Sequence, residues 1–209
     1  MRIRNTGGDG VDKRTTVDAN REERRALIDE WARQAQAGSQ EAFIKITRHF
    51  ERQLYIYCYY LIKDPEETKD ALQDIFIRAY RNIGEYRGAS FSAWLYRIAY
   101  THSMNVLKKK KREQRLADRY RDEARLYTHT ERDSAVMELL EPLTPDERNL
   151  VLLKAVEQYS FEEIGQIMDC TAVGLRKKYE RIRKKLVQYE RNKGGAKIET
   201  NIGSSRAGY

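Results

Sequence analysis

Three times this chain spells out the start of a helix in nearly the same letters. Asp64-Pro65-Glu66-Glu67, Thr144-Pro145-Asp146-Glu147 and Ser160-Phe161-Glu162-Glu163 each place a side-chain oxygen at the N-cap and a carboxylate three residues on. The cap oxygen can accept from the orphan N–H groups of the first turn, and the carboxylate can reach back to the N–H of the cap residue. In two of the three, proline takes the first helical position, where its missing N–H costs nothing. A chain punctuated this way is committed to helices. No stretch alternates apolar and polar residues over a useful length, so the expected fold class is all-α.

The 209 residues allow one ordinary domain or two small ones. Lys and Arg number 40 against 32 Asp and Glu, a formal charge of +8. That balance suits a polyanionic partner, either nucleic acid or an anionic membrane surface. No apolar run approaches the roughly 18 residues of a membrane span. The longest, Leu54 to Ile62, carries four tyrosines and suits a buried helix. The first twenty residues lack the apolar core of a secretion signal, so the cytoplasm is the expected compartment. Cys58 and Cys170 lie far apart, and His49, His102 and His129 are scattered. That is no metal spacing, and the cysteines read as reduced structural thiols with no cofactor implied. No nucleophile has a base partner and no glycine loop could cradle a phosphate, so the chain does not read as an enzyme.

The apolar pattern divides the chain. Residues 1–22 read as a flexible polar tail. Residues 23–112 read as a four-helix domain. Its inward positions include Leu27, Ile28 and Trp31, then Phe43, Ile46, Phe50 and Leu54, then Leu72, Ile75, Phe76 and Ala79, and finally Phe91, Trp94, Leu95 and Ile98. Residues 113–133 contain 11 charged residues among 21 and little apolar period, which reads as a linker. Residues 134–191 form a second helical domain, and residues 192–209 a second flexible tail.

The second domain contains the most informative stretch. Ser160 starts a short helix whose apolar residues are Phe161, Ile164, Ile167 and Met168. After Asp169-Cys170, Thr171 can cap a longer helix. In it Leu175, Tyr179, Ile182, Leu186 and Tyr189 fall at steps of four and three on one stripe. Val173, Arg176, Lys177, Glu180, Arg181 and Lys184 fall on the opposite face. A basic face alone is the usual mark of a solvated helix. A short capped helix, a tight turn and a longer basic helix make the helix-turn-helix plan, whose second helix enters the major groove.

Both domains together resemble the small extracytoplasmic-function sigma factors of bacterial RNA polymerase. The resemblance is carried by Lys69 to Tyr100, KDALQDIFIRAYRNIGEYRGASFSAWLYRIAY, and by LEPLTPDERNLVLLKAVEQYSFEEIGQIM with the basic helix after it. It implies two all-helical domains, sigma two and sigma four. The first would dock on the β′ coiled coil of core polymerase and melt the minus-ten element. The second would read the minus-thirty-five element and touch the β flap. An anti-sigma partner, often membrane-anchored, is also implied.

Carried over by residue, Asp70, Gln73 and Asp74 match the polymerase-binding patch. The loop GEYRGA matches the loop that captures a flipped base, with Tyr86 and Arg87 as its binding groups. Tyr96, Arg97, Tyr100 and Ser103 would line the strand on the outer face of the next helix. Lys108 and Lys109, in the run to Arg112, would hold phosphates. Trp94 is expected in the core. Thr171, Val173, Arg176, Lys177, Glu180, Arg181 and Lys184 would face the minus-thirty-five duplex. The chain departs from the family pattern at Tyr100-Thr101, at Asn105, and at Asp169, where a turn glycine is usual; aspartate tolerates the left-handed backbone such a turn needs.

The alternative reading is a stand-alone helix-turn-helix regulator. It accounts for Ser160 to Leu186, but not for the GEYRGA loop or the Asp70 helix. It also calls for a dimer surface that the sequence does not display. An RNA-binding adaptor using the basic stretches is a further rival.

Overall fold

The computed structural model describes residues 13–88, 90–117 and 131–203, and these contain no β-strand. Eight α-helices follow in order: α1 (Lys13–Gln36), α2 (Gln40–Ile62), α3 (Pro65–Asn82), α4 (Phe91–Ala117), α5 (Glu131–Leu140), α6 (Pro145–Val151), α7 (Phe161–Met168) and α8 (Ala172–Gly203). A 3-10 turn, Ile83–Glu85, ends α3, and a π-helical turn, Leu152–Val156, ends α6. Helix α1 begins, and α8 ends, inside the stretches read as tails. Most of the linker, residues 118–130, lies outside the described residues.

The capping signals act as their chemistry requires. Asp64 accepts from the N–H groups of Glu66 and Glu67. Thr144 with Glu147, and Ser160 with Glu163, complete reciprocal boxes. Ser39 accepts from Ala42 N–H at the start of α2. One cap is tertiary: Asp29 on α1 accepts the N–H of Phe91 at 2.9 Å, so one helix fixes where another begins.

Helices α1–α4 enclose the first core, built on Ile46, Leu54, Leu61, Ile75, Phe91 and Leu95, each fully buried. Helices α5–α8 enclose the second, built on Leu140, Leu150, Leu153, Ile164 and Ile182. The two cores join. Helix α4 packs along α7, and α2 meets α6. Across this seam Tyr57 donates to Asn149 Oδ1, and the Tyr96 and Tyr159 rings meet edge-on at 5.4 Å. The π turn and the left-handed Gln158 (φ 58°) after it swing Tyr159 into the first domain. No helix among the described residues is long and apolar enough to cross a membrane.

Candidate nucleic-acid interface

The turn between α7 and α8 is built by close approach. Asp169 sits in the left-handed region at φ 56° and its N–H closes onto Gly165 O. Cys170 N–H bonds the same carbonyl at 3.0 Å. A Cβ on Gly165 would lie 2.6 Å from the Cys170 carbonyl oxygen, so only glycine lets the turn fold back this tightly. Sequence reasoning looked for the glycine at the turn itself and missed it four residues upstream. Thr171 then caps α8, its hydroxyl accepting Gly174 N–H at 3.2 Å.

On α8 the apolar stripe faces inward at Leu175 and Ile182. Thr171, Val173, Arg176, Lys177, Glu180, Arg181 and Lys184 are all exposed on the helix, as expected. Val173 is 59% exposed, an apolar side chain left largely open to solvent. Arg176 pairs with Glu162 and lies over the Phe161 ring, which holds its guanidinium near the start of the helix.

The GEYRGA loop differs from its expected form. Tyr86 is only 8% exposed; it packs under the loop against Phe91 and Trp94, both rings 5.5 Å away. Burial, with Asp29 nearby, pushes its phenol up to about 12. Gln36 donates to the carbonyls of Ile83 and Tyr86 and holds the loop down. Gly88 lies against the Tyr86 ring, where an added Cβ would come to 3.0 Å. Tyr86 is therefore the floor of the loop and not an open base-binding ring. Arg87 is exposed, with one guanidinium nitrogen donating to the carbonyls of Gly84 and Tyr86. Ala89 lies outside the described residues.

Helix α4 departs further. Tyr96 is 1% exposed and Ser103 fully buried, so neither lies on an outer face. Ser103 donates to the Cys58 sulfur, whose thiol burial pushes up to about 12. Tyr100 is half-buried and donates to Asp146 Oδ1 at 2.9 Å, across the seam. Arg97 is exposed, with a long 3.4 Å bond to the carbonyl of Gln166. The reason is packing: α4 has the first core on one side and α7 on the other. Trp94 is half-buried and packs against the edge of the core. With Arg78, Asn82, Arg97, Ile98 and Thr101 it lines an open pocket of about 250 Å³ beside the loop. Lys108 and Lys109 are exposed as expected, whereas Lys110 turns back to Glu67 and Asp64 at 3.0 and 3.6 Å.

Asp70, Gln73 and Asp74 are exposed on α3 but serve two grooves. Gln73 lines an α2–α3 groove of about 500 Å³ with Leu72, Phe76, Tyr55, Arg48 and Arg52. Asp70 and Asp74 line the α3–α4 groove, where Asp74 approaches His102 at 3.8 Å. Burial lowers the His102 pKa, Arg78 adds to the effect, and Asp74 opposes it. Among the described residues no cluster could hold a metal ion.

The Sigma-70 region 2 profile matches residues 46–113, and the Sigma-70 region 4 profile residues 133–186. The ECF RNA polymerase sigma-E factor of Escherichia coli is 30% identical over 166 residues, covering 71% of this chain and 86% of that protein. The ECF sigma factor SigW of Bacillus subtilis is 28% identical over 161 residues, covering 68% and 86%. Among solved structures, CnrH bound to the cytosolic domain of CnrY superposes with a TM-score of 0.63 at 22% identity, over 79% of this chain and 98% of that one. RpoE of Bartonella quintana, bound to the anti-sigma factor NepR, gives 0.62 at 19% identity, over 70% and 94%. These two share the fold. A capped helix-turn-helix with a free basic face, a four-helix domain carrying two open grooves, and both region profiles in order converge on one conclusion: the chain belongs to the extracytoplasmic-function sigma factors of RNA polymerase.

Proposed function

We propose the following division of labour for a chain that binds core RNA polymerase and directs promoter-specific initiation. The α2–α3 groove, with Gln73 between Leu72 and Phe76, receives the β′ coiled coil. Asp70 and Asp74 flank it from the neighbouring groove. Residues 23–112 act as sigma two and residues 134–191 as sigma four, the latter also meeting the β flap. The exposed α8 face from Thr171 to Lys184 reads the minus-thirty-five duplex; Arg176 and Lys177 supply hydrogen bonds to base edges and phosphates.

The pocket beside Trp94 takes the flipped minus-ten base. Its volume is ample for one nucleobase, Trp94 and Ile98 offer stacking surface, and Asn82, Thr101 and Arg97 offer hydrogen bonds. Tyr86 supports that pocket from below, and Arg87 stands at its rim. Lys108 and Lys109 hold phosphates downstream on α4. The chain performs no chemistry of its own, works in the cytoplasm, and is held in check by an anti-sigma protein, as RpoE of Bartonella quintana is bound by the anti-sigma factor NepR.

The observation that carries this reading is the coexistence of an open apolar-polar groove on α2–α3 and a free basic face on α8. The test is co-elution with purified core polymerase on a sizing column, without DNA, followed by run-off transcription. Wild type is expected to form a one-to-one complex, and charge reversal at Asp70 and Asp74 together to weaken it. Failure of folded, inhibitor-free wild type to co-elute would overturn the assignment.

A further inference from the structure

Most of the free face of α8 is basic, but Val173 and Glu180 sit exposed among its cations. The two stand seven residues apart, close to two helical turns, so they share one line along the helix about 10 Å from each other. Charge pairing accounts for other carboxylates around this helix. Glu162 takes Arg176, Glu147 takes Lys185 at 3.0 Å, and Glu138 takes Lys193. It does not account for Glu180. That residue lies one turn from Arg176, Lys177, Arg183 and Lys184, yet among the described residues its carboxylate forms no ion pair and no hydrogen bond.

A carboxylate is a liability on a surface that meets phosphate, because it repels the backbone that the lysines and arginines attract. A donor on the DNA offsets that cost. In the major groove the donors are the N4 amino group of cytosine and the N6 amino group of adenine. Adenine sets its N7 acceptor beside the amino group, and a carboxylate has no proton to give it. Cytosine sets a C–H there instead. Val173 has no hydrogen bond to offer either, and it suits the apolar group of the same groove, the thymine methyl.

We propose that Glu180 and Val173 are the specificity-determining pair of α8: Glu180 accepts from the amino group of a cytosine, and Val173 packs on a thymine methyl. The spacing of the two side chains, set against the ~3.4 Å rise of the duplex, puts these bases about three steps apart, on the same strand or opposite ones. The inference rests on the proposed role of α8 in reading the minus-thirty-five duplex. It divides the face by task. Arg181 and Lys184 grip phosphates whatever the sequence, and the apolar and acidic positions choose among sequences. The repulsive charge then acts against the wrong duplexes, where Glu180 meets an acceptor and no donor.

The experiment uses holoenzyme reconstituted from core polymerase and the full chain. It is offered a pool of promoter duplexes randomised across the minus-thirty-five element, and the retained duplexes are sequenced. Wild type is expected to enrich cytosine at one position and thymine about three steps from it. Glu180→Gln is expected to exchange that cytosine for adenine, whose N6 and N7 a glutamine amide pairs together, with the cytosine preference falling about fivefold or more. Replacing the selected thymine by uracil, which lacks the methyl, is expected to weaken wild type about fourfold and Val173→Ala much less. Both positions are exposed, so neither substitution disturbs the core. If Glu180→Gln binds every sequence more tightly and leaves the ranking of bases unchanged, Glu180 is a solvated carboxylate and the proposal falls, while the α8 reading stands. No loss for wild type on uracil removes Val173 from the pair. If Arg181→Ala with Lys184→Ala changes neither the binding of the pool nor its base ranking, the α8 reading fails, and the proposal with it.

Discussion

Tyr57 on α2 donates its phenolic hydrogen to Asn149 Oδ1 on α6, a bond between residues 92 positions apart and buried on both sides. It is the polar centre of the seam between the two domains. The Asn149 Nδ2 on the other side of the same amide has no partner among the described residues. A buried amide already short of one bond is a sensitive place to remove another.

Tyr57→Phe is therefore expected to cost about 1–3 kcal/mol, the penalty for orphaning a buried acceptor. Tyr57→Phe with Asn149→Leu should recover much of that, because both polar groups then leave together. A double-mutant cycle by chemical denaturation measures the coupling; additive losses would mean the bond carries none of the seam.

Gly165→Ala tests the helix-turn-helix turn. On helix propensity alone, alanine would stabilise α7 by up to about 1 kcal/mol. The 2.6 Å approach to the Cys170 carbonyl reverses the sign. A loss of about 1–3 kcal/mol is expected, with weakened minus-thirty-five duplex binding. Thermal melting checks the first and a mobility shift the second. An unchanged melting temperature would show that the turn relaxes freely.

Asp169→Gly should do the opposite. The left-handed backbone at φ 56° costs an aspartate more than a glycine. A gain of about 0.5–1 kcal/mol is expected, and a comparable or larger loss for Asp169→Val, whose branched Cβ fits that region worst. Equal stability of the two variants would deny any backbone cost at this turn.

Freeing Arg176 should sharpen DNA binding. Glu162 holds its guanidinium as an exposed ion pair, worth up to about 1 kcal/mol. Glu162→Gln is expected to raise duplex affinity a few-fold at low salt, and Lys177→Ala to lower the salt slope by about one. Titration of a promoter duplex at several salt concentrations separates the two effects.

Much of this fold was legible from local chemistry. Asp64, Thr144 and Ser160 announce their helices because a cap is satisfied within four residues. The α8 face was legible because that helix has one partner side and one free side. Helix α4 was not. Read as amphipathic, its Tyr96, Tyr100 and Ser103 fell on a solvent face, but a helix packed on two sides buries both. Nothing within Phe91 to Ala117 says that α7 will lie there. Asp29 capping α4, and Gly165 clearing the turn, are likewise invisible until distant segments meet.

His102 gives the pH dependence. Its pKa is lowered in the folded chain, chiefly by burial. The unfolded chain therefore binds more protons near and below the ordinary histidine value of about 6.5, and stability falls as pH drops through that range. His49, lowered by burial and Arg24, acts in the same direction. Unfolding free energy measured at pH 7.5 and 5.5 should drop, and His102→Gln should reduce the drop. A variant as acid-sensitive as wild type would place the effect elsewhere.

Lys110 was expected to join the lysines that grip phosphate, yet it reaches back to Glu67 and to Asp64, the cap of α3. In the proposed division of labour, α3 forms one wall of the polymerase groove and α4 carries the phosphate lysines. The brace ties these two helices together. In that reading, the angle the polymerase imposes on α3 is passed on to α4, so the position of melting is measured from the polymerase itself.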